Sequence, residues 1–99
     1  MANTKEKFDR AVKIIQELPK DGPYQPTTDE KLKFYGLFKQ VTVGKNNTKR
    51  PGLLDFVGKA KWDAWNGLGE MTADEAMEQY VEEFEKMEQK MREMGLVPA

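Results

Sequence analysis

The 99-residue sequence contains no histidine, no cysteine and no serine. Without them the chain has no imidazole base, no serine or cysteine nucleophile, and no ligand set for the usual zinc sites. The absence of cysteine also excludes a disulfide framework. Carboxylates and lysines remain for acid–base work, but no convincing pair of them stands out. The sequence therefore favours a binding protein over an enzyme, and it predicts no metal and no cofactor.

Long apolar runs are also missing. No stretch approaches the roughly 18 apolar residues of a membrane span, and the N-terminus lacks the pattern of a secretory signal. With 38% hydrophobic and 33% charged residues, the composition is that of a soluble globular protein. We therefore expect one domain over residues 1–99 with a modest core, present as a monomer in the cytoplasm.

Charge is nearly balanced over the whole chain, at −1, but it is unevenly distributed. Between Lys31 and Lys61 there are eight basic residues and one acid, Asp55, whereas residues 71–99 contain eight acids and three bases. This polarity fits a compact anion bound by the middle of the chain. A nucleic acid fits less well, because the slightly acidic domain would repel a long polyanion, so no nucleic-acid partner is expected.

Apolar residues recur at helical spacing in four segments, and strand signals are weak. The predicted helices run from about Asn3 to Leu18, from the capping box Thr27-x-x-Glu30 to Gly44, from about Phe56 to Leu68 after the N-cap Asp55, and from a second capping box, Thr72-x-x-Glu75, to about Met94. Three prolines and a glycine between Pro19 and Pro26 predict a surface loop after the first helix.

The same spacing predicts which faces are buried. In the second helix the apolar pattern consists of Leu32, Tyr35, Phe38 and Val41. In the third helix it consists of Val57, Ala60, Ala64, Trp65 and Leu68, with Lys59, Lys61 and Trp62 outside it. In the fourth helix it consists of Ala76, Met77, Tyr80, Val81, Phe84, Met87, Met91 and Met94. The glutamates on the other faces of the fourth helix are predicted to form a solvated surface rather than a metal site.

The connection between the second and third helices, residues 43–54, predicts the topology. It has about a dozen residues, whereas helix–helix connections in bundles usually have about two to eight. The extra length lets the third helix run parallel to the second instead of folding straight back. The fold class is therefore all-α, a four-helix bundle with a long connection between helices two and three.

Two clusters of side chains suggest a site for an anionic ligand that carries a ring. Tyr35 and Lys39 stand one turn apart on the same side of the second helix, with Phe38 beside them. Lys61 adds a second ammonium group next to Trp62, and a cation beside an aromatic face suits phosphate together with a ring. Taken alone, a Tyr-x-x-x-Lys pair is more often an ordinary surface pair, and Lys61 on another helix is what favours a site.

Three segments of the sequence resemble the acyl-CoA-binding protein family: Lys59-Ala60-Lys61-Trp62-Asp63-Ala64-Trp65-Asn66, Arg50-Pro51-Gly52, and Tyr35-Gly36-Leu37-Phe38-Lys39-Gln40. The resemblance extends from about Phe8 to about Met87. It implies an up-down-down-up bundle in which Tyr35, Lys39, Lys61 and Tyr80 bind acyl-CoA. In the family the matching lysines hold the ribose 3′-phosphate and the matching aromatic residues hold adenine and nearby groups.

The resemblance also implies further ligand contacts. The family commonly has tyrosine where Phe38 stands, so stacking is retained here but one hydrogen bond is lost. For the first helix, the resemblance implies contacts near adenine and the start of the acyl chain. They would be made by Val12, Lys13, Ile15 and Gln16. The loop is of the long type found in larger or membrane-tethered members, and within it Lys20 and Tyr24 are expected to add contacts.

The resemblance implies a carrier that binds long-chain fatty acyl-CoA and performs no chemistry on it. Transient contact with a membrane surface is compatible with that role. The alternative from the residues alone is a helical protein-interaction module, in which the same aromatic groove takes a partner helix.

Overall fold

The chain folds into four helices, α1 (Thr4–Gln16), α2 (Thr28–Thr42), α3 (Phe56–Asn66) and α4 (Ala73–Glu93). The computed structural model describes residues 3–19 and 21–96, and this part of the chain contains no strand. None of the helices in these ranges combines the length and the hydropathy that a membrane crossing requires. The predicted all-α class is confirmed, with helix ends within about two residues of those expected.

Each helix begins at a residue whose side chain accepts a hydrogen bond from a free amide of the first turn. The N-caps are Asn3, Thr27, Asp55 and Thr72. The capping box at Thr27 is complete, because the Glu30 carboxylate also accepts from the Thr27 amide. At Thr72 the hydroxyl accepts from the Glu75 amide, which is the first bond of a capping box. The Glu75 carboxylate accepts from the Thr72 hydroxyl rather than from the Thr72 amide, so the second predicted box is incomplete.

Helix α4 packs against both α1 and α2. It runs antiparallel to α2, since Glu30 and Lys33 near the start of α2 pair with Lys90 and Glu83 of α4, in that order. It runs parallel to α1, since residues later in α1 contact residues later in α4. Those contacts are Phe8 with Tyr80, and Arg10 with Phe84 and Glu88.

Helix α3 packs against α2 and runs parallel to it. Lys61 lies over Tyr35, and one turn later Trp65 lies beneath Lys39. With α1 and α4 parallel and α2 and α3 both reversed, the topology is up-down-down-up. The long connection between α2 and α3 is what permits this arrangement, as the sequence predicted.

The long connection is fastened to α3 by side chains of that helix. The indole nitrogens donate from Trp65 to the Gly44 carbonyl at 2.8 Å and from Trp62 to the Thr48 carbonyl at 3.1 Å. Asp63 holds Arg50 through two hydrogen bonds of 2.9 and 3.0 Å, and this guanidinium keeps the pKa of Asp63 below its usual range. Lys59 donates to the carbonyl of Leu53 at 2.9 Å. The connection is therefore an ordered element, laid antiparallel along α3.

The observed burial differs from the predicted buried faces of α2, α3 and α4. In α2 the buried residues are Phe34, Gly36, Leu37 and Gln40. The predicted stripe of Leu32, Tyr35, Phe38 and Val41 is only half-buried. Phe38 and Val41 pack against the edge of the core, and Tyr35 and Phe38 also border a groove. In α3 Trp65 is buried as expected, but Val57 is 67% exposed. Met94 is also exposed, since α4 has ended at Glu93.

Gly36 sets the distance between α2 and α3. A Cβ atom at this position would lie 2.8 Å from the Ala64 carbonyl oxygen and 3.2 Å from the Trp65 amide nitrogen. Both are backbone atoms, so relief requires the helices to separate. We expect Gly36→Ala to lower the free energy of unfolding by about 1–3 kcal/mol through overpacking, even though alanine favours a helix.

Urea denaturation of Gly36→Ala measures this effect, and Gly52→Ala is the matched control. Gly52 has open space around its Cβ position and does not have a positive φ angle. The control should stay within about 0.5 kcal/mol of the original protein. A Gly36→Ala protein as stable as the control would mean that α2 and α3 are not in such close contact.

Candidate functional site

The half-buried face of α2 forms one wall of a groove between α1 and the start of α2. A pocket of about 190 Å³ lies there. Its lining residues are Ile15, Gln16, Pro26, Lys31, Phe34, Tyr35, Phe38 and Tyr80. Aromatic rings dominate this set, and Phe8 stacks behind Phe38 with 6.4 Å between ring centroids. The pocket therefore offers flat apolar surfaces to a ring or to an alkyl chain.

Tyr35 also borders a second pocket, of about 320 Å³, between α2, α3 and the long connection. Its other lining residues are Lys39, Thr48, Lys49, Pro51, Gly58, Trp62 and Trp65. This pocket differs from the first in having two lysines in its wall. One tyrosine thus stands between an aromatic pocket and a basic one.

The ammonium groups of Lys39 and Lys61 lie near the ring of Tyr35. The Lys39 nitrogen is 6.0 Å from the Tyr35 centroid and 5.6 Å from that of Trp65, and the Lys61 nitrogen is 5.4 Å from the Tyr35 centroid. Neither lysine pairs with a carboxylate of residues 3–19 or 21–96. Two cations without protein counter-ions next to aromatic rings are suited to an anionic ligand.

The aromatic partner of Lys61 differs from the one expected. Its neighbour in sequence, Trp62, points about 100° away around the helix and lines the basic pocket. Lys61 instead reaches across to Tyr35 of α2. The cation–aromatic pair predicted within α3 is therefore formed between α3 and α2.

Tyr80 brings α4 to the aromatic pocket. Its side chain is only 3% exposed, and its ring packs edge-on against Phe8 and tilted against Phe34, with 5.0 Å between centroids in each case. Burial raises the pKa of Tyr80 to about 12, so the hydroxyl keeps its proton at neutral pH. This hydroxyl makes no hydrogen bond to another residue of the described ranges and is not sealed from solvent. It is available as a donor to a ligand in the pocket.

A third pocket, of about 310 Å³, continues the groove from the aromatic pocket towards the loop after α1. Ile15, Pro26 and Lys31 border both. The remaining lining residues are Leu18, Pro19 and Gln25. From the basic pocket to this loop, the groove changes from cationic to aromatic to largely aliphatic.

The family model described as acyl CoA binding protein matches residues 5–84 of the chain. The chain belongs to the acyl-CoA-binding protein family. Among the curated proteins similar to this chain is the acyl-CoA-binding domain-containing protein 5 of Xenopus tropicalis. The two are 50% identical over 91 residues, which cover 88% of this chain and 20% of that protein. Acyl-CoA-binding protein homolog 3 of Caenorhabditis elegans is 48% identical over 88 residues, covering 89% of this chain and 76% of that protein.

Solved structures of the family agree with the fold. The crystal structure of the acyl-CoA-binding protein from Moniliophthora perniciosa superimposes with a TM-score of 0.84 at 53% identity, covering 91% of this chain and 83% of that one. Acyl-CoA-binding protein 2 of Oryza sativa superimposes with a TM-score of 0.79 at 30% identity, covering 91% and 96% of the two chains. The chain spans about one fifth of the length of the first curated relatives it matches.

Among the residues for which the family resemblance predicts ligand contacts, the structure places seven along the groove. They are Ile15, Gln16, Tyr35, Phe38, Lys39, Lys61 and Tyr80. Val12 packs against the core cluster, and Lys13 is exposed on α1 outside the pocket walls. Their contacts with ligand stay predictions, as do the roles of the seven.

The two loop residues have different positions. Tyr24 is buried in the core, and its hydroxyl donates to the Glu30 carboxylate at 3.2 Å, which leaves it outside the walls of the groove. Burial and the Glu30 carboxylate raise the pKa of Tyr24. Lys20 lies outside the described residues.

Two lysines of the groove were not singled out from the sequence. Lys31 stands four residues before Tyr35 and eight before Lys39, so helical spacing could have placed it on the same side. Lys49 is in the long connection, where no periodicity applies. It reaches the basic pocket because Trp62 and Arg50 fix the connection to α3.

Two glutamates of α4 form ion pairs with residues of α1 and α2. Glu83 pairs with Lys33, which by its hydrogen bond lowers the pKa of that carboxyl, and Glu88 pairs with Arg10. In the described part of the chain, no group of three acidic side chains is arranged to hold a metal ion.

Proposed function

We propose that this chain binds long-chain fatty acyl-CoA and carries it without altering it. The observation that supports this most directly is the position of two ammonium groups, Lys39 and Lys61, over the Tyr35 ring at the junction of a basic and an aromatic pocket. Neither group pairs with a carboxylate of residues 3–19 and 21–96. The phosphates of CoA bind at the lysines. The adenine ring packs against the aromatic rings of Phe38 and Tyr80.

The acyl chain follows the groove past Ile15 towards the loop. Each buried methylene contributes roughly 0.8 kcal/mol, so a long chain that is fully covered contributes on the order of 10 kcal/mol, about what it gains in a bilayer. Each charge-assisted hydrogen bond to phosphate adds roughly 1.5–3 kcal/mol. The head-group contacts therefore shift the equilibrium from membrane to protein, which is what a carrier requires.

The absence of chemistry on the thioester is part of the proposal. The chain has no His, Cys or Ser to supply a base or nucleophile of the usual kinds. The family is one of binding proteins, in agreement with that composition. We further propose that the chain acts as a monomer in the cytoplasm, without a nucleic-acid partner.

Calorimetry with a ligand series tests the binding proposal. Affinity should rise steeply from free CoA to palmitoyl-CoA, because both the cationic and the apolar parts of the groove are then used. Free palmitate should bind poorly, since it lacks the phosphates. Equal affinity for CoA and palmitoyl-CoA would contradict the role of the apolar groove.

Thiol release from palmitoyl-CoA tests the absence of catalysis, and no acceleration over buffer is expected.

Native mass spectrometry of protein purified from cells distinguishes the carrier from a helical interaction module. A co-purifying mass of an acyl-CoA supports the carrier, and a bound polypeptide without acyl-CoA supports the module.

A further inference from the structure

Lys31 stands at the boundary between the aromatic pocket and the third, largely aliphatic pocket. It borders both of them, together with the apolar residues Ile15 and Pro26. Among the described residues that line these two pockets, Lys31 is the only charged one. A single ammonium group in walls that are otherwise uncharged is placed to bind one particular anionic group of a ligand.

The ammonium group of Lys31 is not used for an ion pair within residues 3–19 and 21–96. The acid next to it in sequence, Glu30, pairs with Lys90 of α4. Lys33, two residues later on α2, pairs with Glu83 at 2.9 Å. Lys31 therefore differs from Lys33, which lies on the same helix and has a carboxylate partner in the protein.

On α2, Lys31 and Lys39 stand on opposite sides of Tyr35 along one face. The three residues are four positions apart, so each is one turn from the next. The Cα atoms of the two lysines are separated by two turns, which is about 12 Å along the helix axis. The groove thus presents two separate positions for anions, with an aromatic ring between them.

Acyl-CoA likewise carries its phosphates at two separate places. One is on the ribose 3′ position, and the other two form the diphosphate that joins the ribose to pantetheine. We propose that Lys31 binds the diphosphate, which leaves the 3′-phosphate to Lys39 and Lys61.

The order of chemical groups along the groove supports this assignment. In the ligand, the diphosphate lies between the nucleoside and the acyl chain. In the groove, Lys31 borders the pocket that contains the rings of Phe38 and Tyr80, and it also borders the pocket that contains Leu18 and Pro19. A ligand with adenine in the first pocket and its acyl chain in the second passes its diphosphate by Lys31. This assignment rests on the proposed function.

The substitution Lys31→Met separates the charge of this side chain from its apolar stem. Long lysine stems also cover apolar surface, so Lys31 could act on the acyl chain without using its ammonium group. Methionine keeps an unbranched side chain and a high helix propensity but has no charge. In calorimetry with palmitoyl-CoA, Lys31→Met should weaken binding roughly tenfold to a hundredfold, the loss of one charge-assisted bond to phosphate.

Two further ligands identify the phosphate involved. Palmitoyl-dephospho-CoA keeps the diphosphate but lacks the 3′-phosphate, so the loss in Lys31→Met should persist in full. S-palmitoyl-pantetheine has no phosphate, and the Lys31→Met protein should bind it as tightly as the original protein does. Substitution of Lys39 and Lys61 should give a different pattern, because their loss should shrink with the dephospho ester.

Phosphorus NMR of bound palmitoyl-CoA provides an independent measurement. In the complex with Lys31→Met, the two diphosphate resonances should move towards their positions in free ligand. The 3′-phosphate resonance should stay where it is in the complex with the original protein. A change in the stability of the fold would not select two of the three phosphorus signals.

The matched control is Lys33→Met, which removes an ammonium group from the same helix. Lys33 pairs with Glu83 and lies outside the walls of the groove. Its substitution should leave the affinity for all three ligands within about twofold of the original, because exposed ion pairs contribute little.

Four outcomes would overturn the assignment of Lys31. They are undiminished binding of palmitoyl-CoA by Lys31→Met, an equal loss for S-palmitoyl-pantetheine, a loss that disappears with palmitoyl-dephospho-CoA, and an equal loss in Lys33→Met. The second would assign the effect to the apolar stem, the third to the 3′-phosphate and the fourth to net charge. Failure of the original protein to bind palmitoyl-CoA would instead contradict the proposed function, and the assignment with it.

Discussion

Replacing Trp65 with alanine is expected to lower the free energy of unfolding by about 3–5 kcal/mol, as large aromatic truncations in cores do. Trp65 is only 5% exposed, and the Lys39 ammonium group lies 5.6 Å from the centroid of its ring. Its indole nitrogen also donates to the Gly44 carbonyl at 2.8 Å. The substitution therefore removes packing between α2 and α3 and one of the five side-chain hydrogen bonds that hold the long connection to α3.

Urea denaturation of two further variants separates these contributions. Trp65→Phe keeps most of the apolar area but loses the hydrogen bond, and it should lose about 1–3 kcal/mol because the Gly44 carbonyl is left without its donor. Phe56→Ala removes an exposed aromatic ring from the same helix and should stay within about 0.5 kcal/mol. If Trp65→Ala were no more destabilising than Phe56→Ala, the burial of Trp65 would contribute nothing to the free energy of unfolding.

The fold was predictable largely because its signals are local. Asn3, Thr27, Asp55 and Thr72 are all N-cap residue types, and each begins a helix in the structure. The length of the connection between α2 and α3 indicated that these two helices can run parallel, and the family resemblance implied the up-down-down-up order. These features depend on the backbone within one turn or one loop, so a single sequence is enough to identify them.

Faces that bind a ligand were harder to predict, because a groove and a core use the same residue types. Tyr35 and Phe38 have the spacing of a buried stripe, yet the core is built by Phe34 and Leu37 one position earlier. Val57 likewise has the spacing of the core but is 67% exposed. Periodicity shows that residues share a face, and only the packing of neighbouring helices decides what covers it.

Contacts between elements were the least predictable part of the site. The sequence suggested Lys61 with Trp62, whereas the structure pairs Lys61 with Tyr35 of another helix. Lys49 joins the basic pocket only through the fastening of the long connection to α3. The family resemblance supplied the roles of Lys39 and Lys61, which spacing alone left compatible with an ordinary surface.

Removing both Lys39 and Lys61 is expected to abolish most of the affinity for acyl-CoA. Each ammonium group is predicted to make a charge-assisted bond to phosphate that contributes roughly 1.5–3 kcal/mol. For Lys39→Ala/Lys61→Ala the loss should therefore reach roughly 3–6 kcal/mol, on the order of a hundredfold to ten-thousandfold in Kd. Stability should change by no more than about 0.5 kcal/mol per substitution, because neither lysine has an ion-pair partner among the described residues.

The control for this double variant removes the same charge elsewhere. Lys5→Ala/Lys86→Ala also deletes two ammonium groups, from exposed pairs with Asp9 and Glu83, and should leave the calorimetric affinity nearly unchanged. A dephospho-CoA ester, which lacks the ribose 3′-phosphate, should reveal a smaller difference between the Lys39/Lys61 variant and the original protein. An equal loss for the full and the dephospho ligands would show that the two lysines do not bind the 3′-phosphate. An equal loss in the Lys5/Lys86 control would show that net charge, rather than the groove, attracts the ligand.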